Sequence, residues 1–331
     1  MKLIAIEEHF LTAQVDDTWR AADLAGSDPS VAYHHDAQSR DVMRRLLDLA
    51  DERIALMDET GVDVQVLSLT TPALHQLGDE SVEITLRTND AIAAVVARNP
   101  TRFEAFATLP VAVPDAAADE LERCIRELGF KGTMLCGRIE DRNLDAPDFM
   151  PIFEAAAALN APIFLHPQPP PEVVRNAYYS GFTPEVDQAL ATYGIGWHYD
   201  AGVQFIRLVL SGLFDKLPGL QLILGHWGEL VLFYAERLAG LDRVSRLSHP
   251  FSHYLRHNLY LTASGLYLHN YLDRAVEIVG TDRLLFSTDF PYQYRPGHEA
   301  RRFVDESRLD DDSKIDFAHR NWERLIARLF G

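Results

Sequence analysis

Residues 1–10 read Met1-Lys2-Leu3-Ile4-Ala5-Ile6-Glu7-Glu8-His9-Phe10, a short aliphatic run that ends on two acids and a histidine. The run Lys2–Ile6 predicts a strand buried on both faces, as in a parallel sheet. The same form returns at Val62–Leu69, Phe103–Leu109, Phe130–Cys136, Pro162–Leu165, Leu220–Leu224, Leu259–Thr262 and Arg283–Ser287. Between the runs lie amphipathic stretches of helical spacing, among them Val42–Thr60, Glu80–Asn99, Asp115–Leu128 and Phe149–Leu159. Gly61 and Gly129 stand where a helix should stop before the next strand. Eight β–α alternations in 331 residues predict one α/β domain over residues 1–331, a (β/α)8 TIM barrel rather than an open doubly wound sheet. No Gly-x-Gly-x-x-Gly follows the first run, so a dinucleotide fold loses its main sequence support. Two connections are long: Thr12–Arg40 after strand one and Gln168–Ala201 after strand five. Long βα loops usually build the site of a barrel.

Composition narrows the class further. Hydrophobic residues make up 47% of the chain and charged residues 24%, ordinary values for a globular enzyme. The net charge of −18, from 31 Lys+Arg against 49 Asp+Glu, argues against a nucleic-acid partner, which needs clustered cations. It leaves room for an anionic small molecule, because a few local arginines can reverse the field inside a cleft. The two cysteines, Cys124 and Cys136, are expected to be reduced packing residues. The first apolar run is too short for the core of a signal peptide. No uncharged apolar run reaches the roughly 18 residues of a membrane helix. A soluble, cytoplasmic protein with no membrane partner is the expectation.

The candidate ligands fall at strand ends. Glu7 and His9 are two residues apart at the end of strand one, so their side chains share a face. His166 ends strand five, His226 ends strand six, and Asp289 lies just past strand eight. A parallel barrel gathers all these ends on one rim. Nitrogen and oxygen donors from Glu7, His9, His166 and Asp289 suit a borderline or hard divalent ion such as Zn2+ or Mn2+. Singly, each has an ordinary structural alternative; the joint arrangement carries the reading. His198, in the aromatic stretch Trp197–Tyr199, can face the pocket and bind substrate. His34, His35, His75, His249, His253, His257, His269, His298 and His319 are expected at the surface or in loops.

Several segments carry a family resemblance: Glu7-Glu8-His9-Phe10, Leu165-His166-Pro167, Ser211-Gly212-Leu213-Phe214-Asp215, Leu224-Gly225-His226-Trp227-Gly228-Glu229, Thr262-Ala263-Ser264-Gly265 and Leu285-Phe286-Ser287-Thr288-Asp289-Phe290-Pro291. The chain resembles the amidohydrolase superfamily, nearest its branch of non-oxidative decarboxylases, which includes γ-resorcylate and 5-carboxyvanillate decarboxylases. The resemblance implies that Glu7, His9, His166 and Asp289 hold the metal. It implies a single ion, because the opening is Glu-x-His rather than His-x-His and Leu135-Cys136-Gly137 offers no bridging lysine. It also implies His226 and Glu229 as a catalytic pair, Tyr292 as a substrate contact, and Arg237 as a residue that reaches the neighbouring subunit's site in a homodimer or homotetramer. The chain departs from the pattern at Asp200-Ala201-Gly202-Val203-Gln204, where Gln204 replaces a usual histidine, and throughout residues 168–201.

Decarboxylation of an aromatic or otherwise unsaturated carboxylic acid is the leading expectation, with Asp289 or the His226–Glu229 pair supplying the proton and no organic cofactor. The alternative is hydrolysis of a lactone, amide or ester by a metal-bound water, with Asp289 as base and His226 polarising the carbonyl. A barrel kept only for binding is a third. Residue types alone do not separate the first two.

Overall fold

The computed structural model describes residues 1–36, 39–139 and 142–330. Eight strands run parallel: β1 (Ile4–Phe10), β2 (Val64–Leu69), β3 (Phe103–Ala105), β4 (Thr133–Cys136), β5 (Ile163–His166), β6 (Leu222–Leu224), β7 (Leu259–Thr262) and β8 (Leu284–Leu285). Ladder pairing orders them as β1-β2-β3 and β4-β5-β6-β7-β8. Two seams join these sheets into a ring. Ile6 N donates to Phe286 O at 3.0 Å and His9 N to Phe290 O at 2.7 Å, while Lys131 N donates to Ala105 O and Ala107 N to Gly132 O, both at 2.8 Å. The barrel expected from the alternation is therefore closed on both sides.

Every residue of β1 and β2 is buried, as strands covered on both faces must be. Ile4, Ile6, Val64, Val66, Phe106, Met134, Phe164, Ile223, Tyr260 and Leu285 fill the barrel interior, and Trp322 and Leu325 of the closing helix join them. A second, larger apolar layer packs the surrounding helices on the sheet. Among the described residues no helix is long and apolar enough to cross a membrane. Cys124 and Cys136 are buried and free.

Several boundaries differ from the sequence expectation. β1 runs on to Phe10, so Glu7 and His9 lie within the strand rather than beyond it, because its ladder continues to Thr70 N→Phe10 O at 3.0 Å. β8 shrinks from Arg283–Ser287 to two residues, since Phe286 O turns to Ile6 N across the seam. The stretch Val42–Thr60 is two helices, Arg40–Leu47 and Asp51–Thr60. Between them the Asp48 carboxylate accepts from Ala50 N and Arg53 N and so breaks the helical ladder. Gly61 does end the second helix, with φ of 74°.

The pairing of β1 with β2 slips by one residue between Ala5 and Glu8. This bulge decides which way the acids point. Ile4 and Ile6 face the interior; the slip then gives the inward side to Glu7 and His9 as well. Glu8 faces outward, where it accepts from Gln65 Nε2 at 3.2 Å and from Thr288 N at 2.8 Å.

Candidate metal centre and substrate cavity

The carboxylate rim of the barrel brings the candidate ligands together. Glu7, His9 and His166 offer donor atoms that all lie within 4.8 Å of one another. Asp289 Oδ1 is 3.3 Å from His9 Nε2, and Glu7 Oε1 is 3.8 Å from His166 Nε2. Three hydroxyls, from Thr262, Ser264 and Ser287, donate to Glu7 Oε2. Ser264 Oγ also accepts from His226 N at 2.8 Å, so one serine fixes both the acid and the start of the β6 turn. His166 Nδ1 lies 2.7 Å from Pro167 O, which leaves Nε2 for the centre of the rim.

Two buried atoms in this cluster, Glu7 Oε1 and His9 Nε2, have no hydrogen-bond partner among the described residues. Burial pushes the Glu7 carboxyl up to about 8, more than the attraction of His226 offsets, so an ionised Glu7 here calls for further positive charge. Burial pulls His166 down to about 3, which keeps its imidazole in the neutral form that ligates metals. A divalent cation would satisfy the orphaned oxygen and nitrogen together. The donor set fits the group.

Beside this cluster stands a second one. Burial would lower the His226 imidazole, yet Glu229 and Asp289 hold it well above its ordinary value. Its Nδ1 is 2.6 Å from Glu229 Oε1 and its Nε2 is 3.9 Å from Asp289 Oδ2. Glu229 falls to about 2 although burial opposes the shift, because His226 and His198 flank it. His198 Nδ1 is 2.7 Å from Glu229 Oε2. These short N···O distances belong to charge-assisted hydrogen bonds, so His198, His226 and Glu229 read as a bonded triad rather than as a cage for an ion. Burial would also raise Asp289, but His226 and His9 hold it below the usual carboxylate range.

The turns that carry these groups are strained. His226, Trp227, Glu229 and Leu230 take φ of 47°, 58°, 49° and 67°, and Ser264 and Asp289 take 44° and 57°. Left-handed non-glycine residues each cost on the order of 1–3 kcal/mol and gather where function demands them.

A cavity of about 300 Å³ opens over the cluster. His166, His226 and Asp289 line one side of it. The two insertions supply much of the rest, with Ser30, Tyr33 and His34 from the first and Thr192, Tyr193, Trp197 and His198 from the second. Tyr292 lines the cavity, its hydroxyl 2.6 Å from His34 Nε2 and in contact with Thr70 Oγ1. No lysine or arginine is found among the described lining residues.

Some expectations need correction. His34 is neither a surface nor a loop residue, lying on the helix Pro29–His35 and 3% exposed, while His75 lies in a turn as expected but is only 1% exposed. His34 stacks on Trp19, ring centroids 5.6 Å apart, and was missed although Ser30, Tyr33 and His34 share one helical face by their spacing. Gln204 is buried away from the cavity, where it holds the loop after β4 through Leu144 N at 3.1 Å and Asn143 Oδ1 at 2.9 Å. Arg237, expected to serve a neighbouring subunit, needs no such correction: it is exposed on the short helix Ala235–Leu238 and does not line its own chain's cavity.

Comparison with known proteins gives a consistent set of likenesses. A family model described as amidohydrolase matches residues 9–327. The γ-resorcylate decarboxylase of Polaromonas sp. strain JS666 is 35% identical over 327 residues, 94% of each chain. The manganese-bound 5-carboxyvanillate decarboxylase of Novosphingobium aromaticivorans, complexed with 4-hydroxy-3-methoxy-5-nitrobenzoic acid, superposes with a TM-score of 0.91 at 29% identity, covering 98% of this chain and 96% of that one. The dihydroxybenzoic acid decarboxylase of Polaromonas sp. JS666, with manganese and 2-nitroresorcinol bound, gives 0.85 at 31% identity, over 98% and 97% of the two chains.

Proposed function

The chain belongs to the amidohydrolase family, and from that membership we propose that it is a metal-dependent, non-oxidative decarboxylase of a hydroxybenzoate-like aromatic acid. One observation carries the reading: the orphaned Glu7 Oε1 and His9 Nε2 belong to one buried cluster of donors, beside a His226 whose pKa Glu229 and Asp289 hold well above its ordinary value. Glu7, His9, His166 and Asp289 would hold one divalent ion. Two carboxylates and two imidazoles suit Mn2+ or Zn2+, and the manganese in both similar decarboxylase structures makes Mn2+ the first to test. When bound, such an ion supplies chelation of the substrate carboxylate with an ortho oxygen and a positive charge where negative charge develops.

The chain's own residues manage the proton. Glu229 occupies the Nδ1–H of His226, so the free Nε2 turns towards Asp289 and the cavity. The His226–Asp289 couple delivers a proton to the ring carbon that bears the carboxylate. The carbon–carbon bond then breaks, its electron pair restores the aromatic ring, and CO2 leaves. Each turnover consumes one proton and needs no organic cofactor. Tyr292, Trp197 and Leu266 would wall the ring.

Anchoring of the carboxylate falls to a second copy of the chain. Arg237 makes no side-chain ion pair among the described residues, and its neighbours Phe233 and Tyr234 are 77% and 42% exposed. A homodimer or homotetramer that buries these rings would bring Arg237 of the partner subunit to the cavity. Two buried thiols and the absence of any spanning helix among the described residues agree with a cytoplasmic enzyme. The test is direct: Mn2+-loaded protein is incubated with a panel of mono- and dihydroxybenzoates and of lactones while CO2 release and ring opening are followed. Turnover of a hydroxybenzoate is expected; turnover of lactones alone would overturn the reading.

A further inference from the structure

Glu229 has two carboxylate oxygens, and the acid–base pair with His226 uses one of them. The other takes a hydrogen bond from His198, a residue on the second insertion. The direction of that bond follows from Trp197 and Glu229. The Trp197 indole N–H donates to His198 Nε2 at 3.0 Å, a nitrogen that also lies 3.3 Å from Tyr193 O, while the ionised Glu229 oxygen 2.7 Å from Nδ1 can only accept, so Nδ1 carries a proton towards Glu229. The His198 and His226 rings lie 4.5 Å apart, on either side of the same carboxylate.

The backbone makes a second connection. One helical turn after His198 comes Gly202, and a Cβ there would stand 2.3 Å from the Glu229 carbonyl oxygen. The helix Gly196–Leu210 thus presses on the strained Glu229 turn at its main chain and grips it at its side chain. Without His198, Glu229 Oε2 would be a buried carboxylate oxygen lacking its donor, and the group would turn or take up a proton. The first change releases the His226 Nδ1–H, and the second weakens its bond by removing the charge from the acceptor.

We propose that His198 is a positioning residue: by holding the second oxygen of Glu229 it fixes the carboxylate so that His226 keeps its Nε2 turned to the cavity. The kinetic consequence rests on the decarboxylase reading; the hydrogen-bond geometry does not.

The experiment compares His198→Leu and His198→Asn, each alone and combined with Glu229→Gln, in metal-loaded protein. His198→Leu is expected to lower kcat by about 10- to 100-fold with metal content unchanged. His198→Asn should recover most of the rate, because the asparagine amide N–H lies where Nδ1–H was. In the Glu229→Gln background His198→Leu should cost nothing more, the signature of a residue acting through another. A readout without substrate accompanies the kinetics: in 15N-histidine-labelled resting protein the downfield His226 Nδ1 proton should persist in His198→Asn and move upfield in His198→Leu. If the leucine variant does not fold, His198→Gln replaces it, since its amide corresponds to the far ring nitrogen and misses Glu229. An asparagine variant as slow as leucine, an equal loss in both backgrounds, or an unmoved proton signal would each overturn the assignment. A responsive signal in a protein that decarboxylates no acid would instead refute the proposed function and leave the positioning role standing.

Discussion

Gly225 stands between β6 and His226, and the change Gly225→Ala probes the proposed metal centre without touching a ligand. A Cβ at this position would lie 2.7 Å from Ser264 Oγ and 3.1 and 3.3 Å from the two oxygens of Glu7. Ordinary contact requires Ser264 Oγ to retreat by roughly 0.7 Å and the Glu7 carboxylate by a few tenths. Metal–ligand distances tolerate only about 0.2 Å, so even the smaller displacement exceeds what a ligand can absorb. Disturbing a group that buttresses a ligand typically weakens metal affinity by about 10- to 100-fold, which is about 1.4 to 2.7 kcal/mol. Overpacking of this kind costs about 1–3 kcal/mol of stability, which a fold of this size can bear. Competition for Mn2+ against a fluorescent chelator measures the affinity, with circular dichroism as the control for folding. A folded Gly225→Ala protein whose Kd stays within about twofold of wild type would mean that Glu7 is not a ligand.

Further outcomes follow from the same geometry. His226→Asn should keep its metal and lose at least about two orders of magnitude in rate; normal turnover would reduce His226 to a packing residue. Glu229→Gln should cost less but move the pH profile. Burial alone lowers the His226 pKa, and Glu229 is the first group that raises it; without that charge, the limb on which kcat/KM falls as pH rises should shift to lower pH. An unshifted limb would contradict the pairing. Chelator-treated protein should lose activity and regain it with one Mn2+ per chain, whereas two ions per chain, or full occupancy after His166→Ala, would remove the proposed site. Arg237→Ala should raise KM with metal content intact. Mixing it with Asp289→Ala chains should restore activity in hybrid oligomers, and a mixture that stays inactive after proven subunit exchange would confine Arg237 to its own chain.

The barrel was legible because its strands are nearly uninterrupted aliphatic runs, and strand seven, Leu259–Thr262, agrees to the residue. The last residues of strands two, four and six, Leu69, Cys136 and Leu224, and the first of strand three, Phe103, agree as well; the remaining ends were not legible, since they depend on which carbonyls meet across the sheet. The spacing of Glu7 and His9 correctly put both on one face, but period-two reasoning would send Ile6 to the opposite one. Only the slip in register lets Ile6 and Glu7 both point inward, and a bulge leaves no mark in residue type. His34 illustrates another limit. Its helix lies in an insertion with no strand partner, so nothing in the sequence says which face meets the cavity until Trp19 stacks on it. The four candidate ligands converge because parallel strands share a rim, a property of topology that survives every error in boundaries.

The second insertion has a consequence for anyone who would exchange loops to alter selectivity. Loops that wall a cavity are commonly treated as cassettes, separable from the chemistry beneath them. Here the segment that brings Tyr193 and Trp197 to the cavity also brings His198 to Glu229. A graft from a relative would swap the wall and cut that bond in one operation. Chimaeras at residues 168–201 should therefore slow on every substrate, old and new alike, unless the donor loop carries an N–H donor to the same oxygen. In this chain a change of diet and a change of pace are inherited together.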